Sequence, residues 1–417
     1  MINVSYTNFN VIPESYKIAQ FAAKEVSSKI ALAIGQGQDD EYKIFCTNTA
    51  RKQIKSSKEV VDRIKNNFKD LIVIGMGGSV LNPESLINLN ANNLNSKTKV
   101  HFLNNTDPIY FRKLLSTISL TNCAVLAISN SGQTLETNSL VGAMISEFEK
   151  NNIKLIGNRF FFITKPDSGI LSEIAARISA TLIEHMPNIS GRFSSLTNVT
   201  TLAAAVAGVE VEGYIDGAEE VIEEFLRIPE SNEAMRSAAA IFSTKKPIMV
   251  NIGYLQQFSS YLEWYSQIIA ESLGKNGGGL TPLRGLGPND QHSMLQLYLE
   301  GPEDKIYSLF YVENLKDTPK ACSFKELGYI AEKSLSDINT ANFLATESAL
   351  VNKQLPIRTI LLKDLSPRSI GSLVVHSMLE IVLLSHMMNI NPFNQPAVEF
   401  IKTKSRQLVA SSSSLIN

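Results

Sequence analysis

Between Glu271 and His292 a carboxylate, the Lys275 ammonium and an imidazole share one stretch, ESLGKNGGGLTPLRGLGPNDQH. Three consecutive glycines, Gly277, Gly278 and Gly279, interrupt it. A core helix or strand does not accommodate such a run, so the stretch is predicted to be a loop. Long glycine-rich loops with titratable groups are places where a scaffold presents chemistry. Immediately upstream, Leu262, Tyr265, Ile268 and Ile269 repeat at helical spacing, which puts Glu271 in the last turn of a helix. A Glu presented in this way is a candidate general base.

Two further stretches follow short apolar runs. Gly75-Met76-Gly77-Gly78-Ser79 comes directly after LIVIG. It is not a dinucleotide fingerprint, because Val80 stands where GxGxxG needs its third glycine, and no GK[ST] follows to make a P-loop. A glycine-rich strand end still lets a ligand approach the backbone closely. The other stretch is ISNSGQTLET, Ile128 to Thr137, placed between an apolar run and an amphipathic segment. The hydroxyls of Ser129, Ser131 and Thr134 there meet the free N–H groups of a helix N-terminus, an arrangement that binds phosphate without a cationic side chain. A cap alone would need one hydroxyl.

The elements that must position these groups read as α/β. LIVIG (71 to 75), VHFLNN (100 to 105), AVLAISNSG (124 to 132), FFFIT (160 to 164) and TLIEHMP (181 to 187) are continuous rather than alternating apolar runs. That pattern predicts strands buried on both faces, hence a mostly parallel, doubly wound sheet covered by helices. A second series follows with PIMVNIG (247 to 253), KIYSLFYV (305 to 312) and PIRTILL (356 to 362). The expected organisation is an N-terminal helical segment at 1–60, a first α/β domain at 61–200, a helical connection at 201–240, a second α/β domain at 241–390 and a C-terminal helix and tail at 391–417. The Ser411–Ser414 run reads as a frayed end.

Four blocks in one order, SGRFSSLTNV (190 to 199), ESLGK (271 to 275), NDQHSMLQLYLEGP (289 to 302) and NPFNQPAVEFIK (391 to 402), together with the SNSGQTLET loop, make the chain resemble the glucose-6-phosphate isomerase (phosphoglucose isomerase) family. Over about residues 70 to 405 it is similar to that family's two tandem sugar isomerase (SIS) domains. The resemblance implies an aldose-ketose isomerase that interconverts D-glucose 6-phosphate and D-fructose 6-phosphate through an enediol(ate), in glycolysis and gluconeogenesis. It implies Glu271 as the base that moves a proton between C2 and C1, His292 and Lys402 as the groups that open the sugar ring, and Arg192 beside the enediol. Ser129, Ser131 and Thr134 would hold the phosphate, and Gly77, Gly78 and Ser79 would line the sugar. Glu136, Gln267 and Gln395 would make polar contacts, Glu136 by orienting the histidine. It further implies no metal, no cofactor and a homodimer in which His292 crosses the interface to the other subunit's site.

The chemistry of the reaction fits this cast, because a carboxylate base and a guanidinium supply what removing a C–H proton and holding an enediolate require. Two departures from the family pattern stand out: Asn130 occupies a phosphate-loop position where many members carry Lys, and Ser190 replaces a second glycine before GRFS. The alternatives are a broader isomerase that also accepts mannose 6-phosphate, and a sugar-phosphate sensor without turnover. A sensor would need the phosphate loop but not Glu271, His292, Arg192 and Lys402.

Composition sets the remaining bounds. A net charge of -1 gives no basic excess for nucleic acid or an anionic membrane. Cys46, Cys123 and Cys322 form no CxxC pair, which fits a reducing cytosol and no zinc site. The N-terminus lacks the basic and apolar regions of a signal peptide. The apolar stretch Ser369 to Met388 contains His376, Glu380 and His386, groups that are costly in lipid, and Ser366-Pro367 makes a helix start. A helix buried in a protein core is therefore expected, with a cytoplasmic location.

Overall fold

The computed structural model describes residues 2–37, 40–166, 169–315 and 318–411; most of the Ser411–Ser414 run thus lies outside the described residues. Its strands are β1 Ile2–Thr7, β2 Asp70–Ile74, β3 Lys99–Leu103, β4 Cys123–Ile128, β5 Phe160–Thr164, β6 Thr181–Glu184, β7 Ile248–Gly253, β8 Thr281–Leu286, β9 Lys305–Val312 and β10 Ile357–Leu362. The chain divides into two compact units. One comprises Met1–Thr47, Ser85–Asn93 and Glu210–Pro392, the other Asn48–Glu84, Leu94–Val209 and Phe393–Asn417. They are called here the Glu271 unit and the phosphate-loop unit.

In the phosphate-loop unit the sheet order is β3-β2-β4-β5-β6, parallel throughout. The continuous apolar runs form its interior because both faces of each central strand are covered. Ile72, Ile74, Val125, Ala127, Phe160 and Phe162 point to one face, where they pack with Leu140, Val141, Met144 and Phe148 of the helix Leu135–Lys150. Leu71, Val73, Leu126 and Phe161 on the opposite face are equally inaccessible. Removing one such side chain from water is worth about 1.5–3 kcal/mol.

In the Glu271 unit the order is β1-β10-β9-β7-β8, parallel except for β1, which joins β10 antiparallel. Two of these strands depart from the sequence reading. β1 lies in the segment expected to be helical, and β8 lies inside the stretch expected to be a loop. Both are edge strands. β8, TPLRGL, has a largely half-buried pattern, and an edge position tolerates Pro282, so it lacks the apolar continuity of a central strand. The glycines at 277–279 remain outside regular structure.

Read from β2 and β7, the two sheets share one winding: β2 and β7 are central, β3 and β8 lie on one side, β4 and β9 on the other. Each sheet therefore has a reversal point, at β2/β4 and at β7/β9, where open α/β sheets bind ligands outside the carboxyl ends of the strands. The helix Pro367–Met387 is long and apolar enough to cross a membrane, yet 94% of its apolar window is buried inside the protein. Ser366 accepts a hydrogen bond from the Ser369 N–H at 3.3 Å and Pro367 opens the helix, which packs on the helices Val211–Arg227 and Glu233–Thr244 as a core element.

Candidate active site

The phosphate-loop unit gathers its candidate residues at the β2/β4 reversal point. Past β4, Ser129 Oγ and Thr134 Oγ1 lie 3.0 Å apart. Ser131 Oγ accepts from the Gln133 N–H at 3.2 Å. Thr134 is the N-cap of the helix Leu135–Lys150, but its side chain does not cap it. The first N–H groups of that helix therefore face a cluster of hydroxyls that leaves them without a side-chain cap, which is what an anion site requires. Thr137 Oγ1 is buried with no hydrogen-bond partner among the described residues, and Glu136 is half-buried in the first turn. Asn130 donates to Ile189 O at 2.9 Å, tying this loop to the segment that leads into Arg192.

The strand-end loop after β2 meets the same segment. Gly77 has φ 54°, the left-handed region that favours glycine. A Cβ on Gly78 would stand 2.2 Å from the Gly191 carbonyl, so only glycine lets these two backbones pass. Asn82, unremarked in the sequence, fastens them. It donates to Gly78 O at 2.6 Å and Gly191 O at 2.9 Å, and accepts from Ser195 Oγ at 2.5 Å. The only signal for it is a polar residue on the buried side of an apolar helix. Ser79 is buried at the start of that helix.

Arg192 sits in the one-turn helix Gly191–Leu196 and is 1% exposed. Its guanidinium donates to Gln395 Oε1 and, at 3.1 Å, to Asn394 O, so the structure joins two residues that the sequence placed in the site separately. Lys402 is on the helix Glu399–Ala410, half-exposed, with Nζ 2.7 Å from Glu399 Oε1.

In the other unit, Glu271 is in the last turn of the helix Phe258–Leu273, as its spacing predicted. Gln267, one turn earlier, donates to Glu271 Oε1 at 2.9 Å; both side chains are half-buried. Lys275 closes the helix end by donating to Ser272 O at 3.0 Å and Asn391 O at 2.5 Å. The helix is anchored from its inner face. Tyr265 donates to Glu380 Oε1 and accepts from Arg358 Nη2 at 2.7 Å, while Arg358 also ion-pairs with Glu380 Oε2 and donates to Ser308 Oγ at 2.8 Å. Burial pushes the Glu380 carboxyl up, but the Arg358 and His376 charges and the hydrogen bonds from Tyr265 and Arg358 together hold it below its ordinary value. Next to it, burial lowers His376 to about 4.

His292 ends the one-turn helix Asn289–His292 and is exposed. Its neighbours hold the turn. Asp290 Oδ2 accepts from the Leu286 N–H at 2.7 Å, and Gln291 Nε2 donates to Thr346 Oγ1, Asn342 O and Tyr254 OH at 2.5, 2.9 and 3.1 Å. His292 lines a cavity of about 590 Å³ with Tyr254, Gln256, Asn289, Asn339 and Asn342. That cavity is at the β7/β9 reversal point, before the start of the helix Phe258–Leu273. Glu271 is at the far end of the same helix, whose 16 residues span about 24 Å. Within one chain, His292 and Glu271 are thus not brought together. A second cavity of about 600 Å³, between Tyr6, Phe9, Tyr16, Lys17 and Arg236, contains none of the candidate residues. Of the remaining histidines, His185 Nδ1 lies 2.9 Å from Met186 O and His386 Nε2 2.7 Å from Tyr42 OH.

The phosphoglucose isomerase family model matches residues 40–282, more than half of the chain and a span that contains Arg192 and Glu271. The chain belongs to the phosphoglucose isomerase family. It is 30% identical over 418 residues, covering 96% of both chains, to a glucose-6-phosphate isomerase of Rubrobacter xylanophilus. To a glucose-6-phosphate isomerase of Methanocaldococcus jannaschii it is 31% identical over 355 residues, 82% of this chain and 85% of that one. Among solved structures, a hypothetical protein from Thermus thermophilus superposes with a TM-score of 0.87 at 26% identity, covering 98% of this chain and all of that one. A glucose-6-phosphate isomerase from Chlamydia trachomatis gives a TM-score of 0.85 over all of this chain and 89% of that one. At 20% identity, that likeness speaks to the fold.

Proposed function

We propose that this chain is an aldose-ketose isomerase that interconverts D-glucose 6-phosphate and D-fructose 6-phosphate in glycolysis and gluconeogenesis. The observation that carries this reading is a chain that aligns over 96% of its length with a glucose-6-phosphate isomerase and whose sequence contains Glu271, Arg192, His292 and Lys402, a set suited to proton transfer, as well as a phosphate loop. A sugar-phosphate sensor would have no use for that set.

The phosphate anchors on Ser129, Ser131, Thr134 and the uncapped N–H groups of the helix Leu135–Lys150, while Gly77, Gly78 and Ser79 line the sugar. Ring opening needs an acid and a base at the ring oxygen and O1, the roles of His292 and Lys402. Lys402 exchanges Glu399 for the sugar at little cost, because an ion pair exposed to water contributes little. In the open aldose, Glu271 takes the proton from C2. The C1 oxygen then gains a proton and the O2 hydroxyl gives one up, and Glu271 returns its proton to C1 to leave the ketose. Gln267 orients the Glu271 carboxylate. The fixed charge of Arg192, held by Gln395, stabilises the enediolate without reorganising during the reaction. Glu136 supports the histidine. No metal or cofactor has a part in these steps.

The separation of His292 and Glu271 along the helix Phe258–Leu273 supports a homodimer in which His292 of the partner subunit serves each Glu271. The enzyme acts in the cytoplasm. The test is turnover of fructose 6-phosphate with EDTA present, followed through a coupled glucose-6-phosphate dehydrogenase. Turnover is expected. Binding of the sugar phosphate in a thermal-shift assay without turnover would leave the sensor reading instead.

A further inference from the structure

The phosphate loop, Ser129 to Thr134, has hydroxyls and helix N–H groups but no cation of its own, and Glu136 adds a negative charge in the first turn. A cation arrives from elsewhere in the sequence. Arg406, on the helix Glu399–Ala410, donates from Nη2 to Gln133 O at 2.8 Å. Gln133 directly precedes the N-cap Thr134, and its own N–H is held by Ser131 Oγ. The guanidinium is therefore docked on the loop at the mouth of the uncapped helix. Among the described residues Gln133 O is its one hydrogen-bond partner, and the side chain is exposed, which leaves a planar fork of donors for a phosphate.

Lys402 stands four residues before Arg406 on the same helix. Residues at this spacing share a face, with about 5–6 Å between their Cβ atoms. The contact that brings Arg406 to the loop thus also turns Lys402 toward the same side.

Resting on the isomerase reading, we propose that Arg406 is the cationic ligand of the substrate phosphate, in place of a basic residue within the loop. One guanidinium edge stays on Gln133 O while the other meets the phosphate oxygens. Asn130, at the loop position where a lysine would have stood, is free to bind Ile189 O and hold the loop to the Arg192 segment. The phosphate charge is thereby supplied by the element that carries Lys402, so that phosphate binding and placement of the ring-opening lysine are linked through one helix.

The test uses the full-length protein, with Arg406→Ala and Arg406→Lys. KM and kcat for fructose 6-phosphate are measured, together with the inhibition constant and calorimetric affinity of inorganic phosphate. In Arg406→Ala, KM and the phosphate constant should each rise about tenfold, since a charge-assisted hydrogen bond to an anion is lost, with a smaller fall in kcat. Arg406→Lys should recover part of both, because the charge remains and the fork does not. Phosphate affinity within twofold of wild type in Arg406→Ala overturns the proposal, and a loss confined to kcat does so as well, reducing Arg406 to a clasp for the helix. A wild-type protein that binds phosphate more tightly than Arg406→Ala yet does not isomerise fructose 6-phosphate would remove the isomerase reading and leave this one standing.

Discussion

The two sheets are wound alike, and their reversal points are furnished differently. At β2/β4 the loops carry hydroxyls, close backbone crossings and an uncapped helix, with little that titrates. At β7/β9 there is an apolar and amide-lined cavity with His292 at its edge, and the unit's carboxylate, Glu271, lies at the opposite end of the following helix. On the proposed reading one winding serves two uses, anion binding in the phosphate-loop unit and C–H proton abstraction in the Glu271 unit. The winding fixes where loops gather, and the side chains on the loops decide what is done there. The means of fixing each site differ too. The phosphate-loop unit uses glycine contacts and Asn82, and the Glu271 unit uses a buried ion pair.

If the division of labour holds, damage to the Glu271 unit should fall on kcat and damage to the phosphate loop on KM. Glu271→Gln should have the largest effect, a loss of about 10³-fold in kcat with KM within a few-fold, since general-base catalysis contributes 10²–10⁴. Steady-state kinetics reads this directly, and a loss in KM alone would erase the contrast. Arg358→Ala comes next. It leaves the Glu380 carboxylate buried without its cation and should cost about 3–5 kcal/mol in denaturant unfolding, whereas an exposed arginine such as Arg236 should cost a small fraction of that. Replacing Ser129, Ser131 and Thr134 together by Ala should raise KM by about 10- to 100-fold with a minor change in kcat, since water takes over part of each lost hydroxyl–phosphate hydrogen bond. The smallest effect is in acid. His376 is held near 4 when folded and returns to its ordinary value near 6.5 when unfolded, so the unfolded state binds more protons between these values. Its contribution to stability is present above pH 6.5 and is lost as the pH falls toward 4, by about 1 kcal/mol over the first unit. His376→Asn should flatten that part of the stability profile. Arg358 and Glu380, which face the ring, stay charged across most of the window.

Much of this contrast was readable in the sequence, and the gaps have physical causes. The central strands announced themselves because burial on both faces demands unbroken apolar runs, and FFFIT became β5 almost residue for residue. The Glu271 helix end and the SNSGQT loop were legible for the same local reasons. β1 was not predicted, although Ile2, Val4 and Tyr6 alternate with Asn3, Ser5 and Thr7, since its partner β10 lies some 350 residues away. β8 was hidden by Pro282 and the neighbouring glycines, which mean a loop in isolation and an edge strand in context. Arg192 was identifiable by its motif, but its bond to Gln395 depends on two chain segments meeting. Asn82 and Arg406 act through such meetings alone and left almost no local trace.

The most direct test of the account mixes two inactive variants. Glu271→Gln and His292→Ala proteins are each assayed alone, then unfolded and refolded together or co-expressed, and fructose 6-phosphate turnover is followed again. A dimer whose sites each combine Glu271 from one chain with His292 from the other has one intact site per mixed dimer. Random pairing should then restore about a quarter of wild-type activity. Turnover near wild type in Glu271→Gln alone, or a mixture no more active than its components, would contradict it.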